Sequence, residues 1–159
     1  KTDGISTLTG LLSLEAANEM VQTSQSNAIQ ILARLAENTE GQAQILAKES
    51  TIPSLIKLLS RSIDESDVGI QTKATLLLAR LAQNPEARTQ IIGTKDAIST
   101  LIRLLESPNE QIKTNTYDIL TKIAIASLKL AWKTLPPVLW SQVRSLCNLV
   151  YSAISRMFS

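Results

Sequence analysis

The chain has 159 residues, of which 44% are hydrophobic, 19% charged and only five each Gly and Pro. That is enough apolar material to bury a core, and too little polar low-complexity sequence for a linker or disordered tract. There is no His among the 159 residues, which removes the common triads, imidazole zinc sites and histidine acid–base chemistry, and no run of about 18 uninterrupted apolar residues that would span a bilayer. A formal net charge of +2 hides an asymmetry: residues 1–118 carry 11 bases against all 14 acids, whereas residues 119–159 carry five bases and no acid.

In chain order, the first patterned segment is Ile5, Leu8, Leu11 and Leu12, an Ile-x-x-Leu-x-x-Leu-Leu motif that returns at Ile52/Leu55/Leu58/Leu59 and at Ile98/Leu101/Leu104/Leu105. The i, i+3, i+6, i+7 spacing predicts one buried stripe on a helix. A longer helix should come after each copy. The pentapeptide Leu-Ala-Arg-Leu-Ala closes the first two of these, at Leu32–Ala36 and Leu78–Ala82. The copies recur every 46 or 47 residues, the length of a helical unit stacked in a solenoid.

The middle unit reads as helices over 40–48, 52–60 and about 68–83, with the polar, acidic stretch 62–67 as a loop insertion. The last unit begins at Asn84-Pro85-Glu86, a capping side chain with Pro at the first helical position, and Gly93 can end that short helix. A second helix runs over about 97–106 with Ile98, Leu101, Leu104 and Leu105 facing inward. Ser107-Pro108-Asn109-Glu110 reads as a capping box with Ser107 at the cap, and opens a third helix that reaches at least Ala124 and turns Ile112, Ile119, Leu120 and Ile123 to the core. The first unit starts at its second helix. The organisation expected is therefore residues 1–126 as three units (about 1–38, 39–84 and 85–126) and residues 127–159 as a C-terminal helical extension or cap.

These residues resemble armadillo repeats. Asn84-Pro85-Glu86-Ala87-Arg88 through Ile98-Ser99-Thr100-Leu101-Ile102-Arg103-Leu104-Leu105 is similar to the family's turn, first helix and second helix, and Leu78-Ala79-Arg80-Leu81-Ala82 to the end of its third. The resemblance covers roughly residues 4–126; two-helix HEAT repeats are the nearest rival, and the capped short helix before each Ile-x-x-Leu-x-x-Leu-Leu favours the three-helix form. It implies an all-α, right-handed solenoid whose third helices line a concave groove for extended peptides. Importin-alpha-like members grip the peptide with Asn and Trp. Here the corresponding positions hold Arg34, Arg80 and Lys122, and Gln30, Leu76 and Asp118, which argues against a receptor for nuclear-localisation signals.

Guanidinium and ammonium groups only donate, and they attract carboxylates or phosphates. The row Arg34, Arg80 and Lys122, with Lys73 below Arg80 and Asn27, Gln30 and Asn115 beside it, would suit an acidic or phosphorylated segment of a partner protein. The competing reading is that each base complements a helix C-terminus and needs no ligand, with Asp118 paired to Lys122 at i,i+4.

All five aromatic residues lie at or after Tyr117. Pro136-Pro137 breaks the chain, and Val138–Phe158 reads as a helix with a wide apolar arc. Either this segment caps the solenoid, or it docks a neighbouring subunit through Trp132, Trp140, Arg144, Cys147, Tyr151, Ile154 and Phe158, or it lies on an anionic membrane surface. Catalysis, metals, cofactors and small-molecule substrates are not expected: Asp64, Glu65 and Asp67 lack the features of a calcium loop, Gly93-Thr94-Lys95 is not a phosphate loop, and Cys147 has no His partner. Five bases among 41 residues are sparse for nucleic acid. A single Cys and no Asn-x-Ser/Thr suit a reducing, intracellular compartment. The expected function is protein–protein interaction, as scaffold, adaptor or complex subunit; the alternative is a membrane-surface component held by the tail.

Overall fold

A computed structural model describes residues 4–14, 19–61 and 68–134, with side chains through Leu128. Eight helices and no strand occur among the described residues: α1 (Gly4–Leu12), α2 (Glu19–Leu35), α3 (Thr39–Leu46), α4 (Thr51–Leu59), α5 (Val68–Leu81), α6 (Pro85–Gly93), α7 (Ala97–Leu104) and α8 (Glu110–Thr134). The chain divides into two compact units, Lys1–Ile123 and Ala124–Ser159. The first holds α1 to α7 and α8 as far as Ile123; of the second, the described part is the end of α8.

Asparagine side chains open two of the short helices, α6 where the sequence predicts and α3 one residue ahead of the predicted start at Glu40. Asn38 Oδ1 accepts from Gly41 N (2.7 Å) to open α3, and Asn84 Oδ1 accepts from Glu86 N (2.9 Å) to open α6, with Pro85 in its first turn. Each cap satisfies an amide that has no partner within its own helix. The start of α8 corrects the sequence reading. Its cap is Asn109, whose Oδ1 accepts from Gln111 N (2.9 Å) and Ile112 N (3.1 Å); Ser107 is buried and its Oγ accepts instead from Asn109 N (3.2 Å). Because the helix begins at Glu110, that residue stands at the first helical position and cannot reach back as a capping-box glutamate does. The one left-handed residue among those described is Asp96 (φ 60°), just before α7.

Glycine is required at one corner. A Cβ on Gly41 would lie 1.9 Å from Leu35 O, so the close passage of α3 beneath the end of α2 depends on the missing side chain.

The core is a continuous apolar cluster. Its helices pair α1 with α2 and α4, α4 with α5, α6 and α7, and α2 with α5. The three copies of the Ile-x-x-Leu-x-x-Leu-Leu motif meet different fates. In the middle copy Ile52, Leu55, Leu58 and Leu59 are all buried. In the first copy Ile5, Leu8 and Leu11 are only partly buried. In the third, Leu101 and Leu104 are buried while Ile98, expected inside, is exposed. The middle copy has a neighbouring helix on each side, α1 and α7; α7 packs on α4, and no later described helix covers Ile98. Ile112, Ile119 and Ile123 of α8 are buried as predicted.

Candidate partner-binding surface

The long helices α2 and α5 end with carbonyls that have no intrahelical donor, and side chains from elsewhere in the chain fill several of them. Two come from the next short helix: Gln42 Nε2 donates to Ala36 O (2.9 Å) and Arg88 Nη1 donates to Ala82 O (2.8 Å). Two more reach back a whole repeat. Arg80 Nη1 donates to Ala33 O (2.5 Å, 47 residues away) and Lys122 Nζ donates to Ala79 O (3.1 Å, 43 residues away).

The other helices show the same reach. Gln90 Nε2 donates to Leu46 O (3.4 Å), Arg103 Nη2 to Leu59 O (3.3 Å) and Ser60 O (3.0 Å), and Arg61 Nη2 to Leu14 O (2.8 Å), over separations of 43 to 47 residues. The repeat seen in the sequence is thus matched by hydrogen bonds that tie each helix type to its predecessor.

These bonds sort the bases expected along the third helices. Arg80 also pairs with Glu37 (3.0 Å), and its side chain is 29% exposed. Lys122 pairs with Asp118 across one turn, the i,i+4 contact the sequence suggested. Lys73 Nζ donates to Ser26 Oγ (2.7 Å), stitching α5 to α2. Asn115, expected on the groove surface, is buried between α8 and α5: Nδ2 donates to Thr75 Oγ1 (3.2 Å) and Oδ1 accepts from Gln111 Nε2 (3.1 Å). A buried amide at that spacing satisfies its own polar atoms and leaves little for a ligand.

Asn27, Gln30 and Arg34 remain. All three are exposed on α2, and their i, i+3, i+7 spacing puts them on one face. The Arg34 side chain makes no hydrogen bond or ion pair to the described residues, its backbone O accepting from Glu37 N (3.2 Å). It stands where Arg80 and Lys122 stand in α5 and α8, but none of the described carbonyls accepts from it. Its guanidinium can therefore offer a bidentate fork to a carboxylate or phosphate, flanked by two amides that both donate and accept.

The expected C-terminal docking residues lie elsewhere. Trp132 is on the last turn of α8 with its side chain outside those described, and Trp140, Arg144, Cys147, Tyr151, Ile154 and Phe158 lie outside the described residues. Two features escaped the sequence reading. Buried Gln25 closes α1 by donating from Nε2 to Leu14 O (2.7 Å) and Leu11 O (3.1 Å), and Ile92 on α6 and Ile98 and Ile102 on α7 are exposed.

Among the described residues, no three of His, Cys, Asp and Glu are placed to hold a metal ion. No described helix is long and apolar enough to cross a membrane. Compared with known proteins, the chain matches no family model and no curated protein, so the chemistry of this surface rests on the chain's own geometry.

Proposed function

We propose that the chain is a non-catalytic protein-interaction module built as an armadillo-like solenoid, in which α2, α5 and α8 form the surface that receives an extended, acidic or phosphorylated segment of a partner protein. The observation that carries this reading is the set of hydrogen bonds reaching back 43 to 47 residues from Arg80, Lys122, Gln90 and Arg103. Such bonds repeat one junction along the chain, as stacked units do, and stacked units present long continuous faces to partners. Within that face the exposed trio Asn27, Gln30 and Arg34 is the part not consumed by the fold, so an incoming acidic group meets Arg34 first. Arg80 and Lys122 act mainly as helix-end partners.

The test has two stages. Cross-linking of the full chain in native extract identifies neighbours and the residues they touch; binding of the reconstituted partner is then compared for Arg34→Glu and for Lys95→Glu, a charge reversal away from α2. The proposal expects cross-links on α2 and loss of binding for Arg34→Glu alone, with circular dichroism unchanged. Partners that bind Arg34→Glu as tightly as the parent chain would overturn it.

A further inference from the structure

The bases along α2, α5 and α8 fall into two classes. Arg80 and Lys122 are each held by a backbone carbonyl, Ala33 O and Ala79 O, and by a carboxylate, Glu37 and Asp118. Both carboxylate side chains are about half exposed, 58% and 48%, so they already stand beside those bases and repel any further acid that approaches them. Arg34 and Lys73 differ. No acid among the described residues pairs with either, and the Lys73 ammonium donates to a neutral oxygen, Ser26 Oγ (2.7 Å). Its charge is therefore not balanced by that bond, and an ammonium has three donors to give.

The bond to Ser26 also fixes where this second charge sits. It holds the end of Lys73 beside α2, eight residues before Arg34 on that helix, about 12 Å along the axis at 1.5 Å per residue. Asn27 and Gln30 are exposed between the two points, and each amide both donates and accepts. An extended chain rises about 3.3 Å per residue and turns alternate side chains to one face. Side chains four positions apart on such a segment share a face and stand about 13 Å from each other. At two positions the distance is about 7 Å and at six about 20 Å, while side chains three positions apart point opposite ways.

We propose that this face selects a pair of acidic side chains four positions apart on an extended partner segment lying along α2. One acid meets the Arg34 guanidinium and the other the Lys73 ammonium, with the Asn27 and Gln30 amides on the backbone between them. The inference rests on the Arg34 contact proposed above and adds to it a second contact and a spacing. Lys73 is then a specificity-determining residue, and the carboxylates of Glu37 and Asp118 confine the acids to these two points.

Fluorescence anisotropy of the full chain, titrated from about 10 μM to 1 mM, tests this. The probes are short labelled Thr-Ser peptides carrying a single Glu, or two Glu set two, three, four or six positions apart. The expected result is that the four-position peptide binds about fivefold more tightly than the single-Glu peptide and than the other spacings. In Lys73→Gln, which keeps a donor for Ser26, that advantage should vanish while single-Glu binding stays at the parent level; Arg34→Gln should weaken both. The spacing series on the unaltered chain needs no variant, and circular dichroism checks the fold of the two variants. Equal affinity at every spacing, a preference for another spacing, or a Lys73→Gln chain that still prefers four positions would overturn the proposal while leaving the Arg34 contact in place. Failure of every peptide to bind overturns it too, and the Arg34→Glu comparison with the native partner then decides the wider reading.

Discussion

Exchanging Gln71 for Met should stabilise the protein, whereas the same exchange at Gln25 should weaken it, although the two residues stand 46 positions apart in equivalent places. Both are buried. Gln71 Nε2 and Oε1 have no hydrogen-bond partner among the described residues, so its amide bears a desolvation cost of about 1–3 kcal/mol without compensation from them. Met is unbranched and close to Gln in volume, so it should fill the site without new strain; the expected gain is about 1–2 kcal/mol. Gln25 differs because Nε2 reaches Leu14 O (2.7 Å) and Leu11 O (3.1 Å), and Oε1 accepts from Arg61 Nη1 (3.4 Å). Met there removes all three contacts. Leu14 O keeps Arg61 Nη2 at 2.8 Å, which limits the loss to about 1–2 kcal/mol. Urea unfolding followed by circular dichroism reads both changes as midpoint shifts at constant slope, and each kcal/mol should move Tm by about 2–4 °C for a chain of this size. A Gln71→Met chain that melts earlier than the parent would refute the reasoning, since its amide would then be making a bond worth more than the burial it costs.

The repeat contacts lead to three further outcomes. Arg80→Met should cost about 1–2 kcal/mol, because it strips Ala33 O and Glu37 of their partner, whereas Arg34→Met should fall within about 0.5 kcal/mol of the parent; equal losses would show that the bond to Ala33 O contributes nothing. Gly41→Ala should destabilise by about 2 kcal/mol or more through the clash with Leu35 O, while Gly93→Ala, where a new Cβ meets nothing within 4 Å, should be neutral or gain up to about 1 kcal/mol; thermal melts of the two variants decide it. Ile52→Ala should cost about 2–5 kcal/mol and Ile98→Ala under about 1 kcal/mol, since the first leaves a cavity in a packed core and the second removes a half-wet side chain. Similar values in denaturant melts would mean that both copies of the motif are equally covered.

The residues of the capped helices show how far local chemistry reaches. Asn84-Pro85-Glu86 opens α6 where the pattern placed it, because a cap and a Pro act on amides two or three residues away. Ser107-Pro108-Asn109-Glu110 contains two residues able to cap, and the choice of Asn109 depends on Ser107 being drawn into the core. Candidate surface residues divide in the same way. Asn27, Gln30 and Arg34 are exposed on α2 as expected, while Asn115 carries a similar side chain but is buried against Thr75.

What the sequence alone determined is the helical content, the order of short and long helices and the period of the pattern, since all three are written in spacings of three to seven residues and in a repeat that can be counted. What only the tertiary structure decided is which of the repeated positions are dry and which of the bases are engaged. Ile52 and Ile98 share one motif, and Arg34 and Arg80 share one pentapeptide; they differ because burial and hydrogen bonding depend on the neighbour stacked a full repeat away, where α7 covers α4 and Arg80 reaches Ala33 O, and no local pattern encodes whether that neighbour is present.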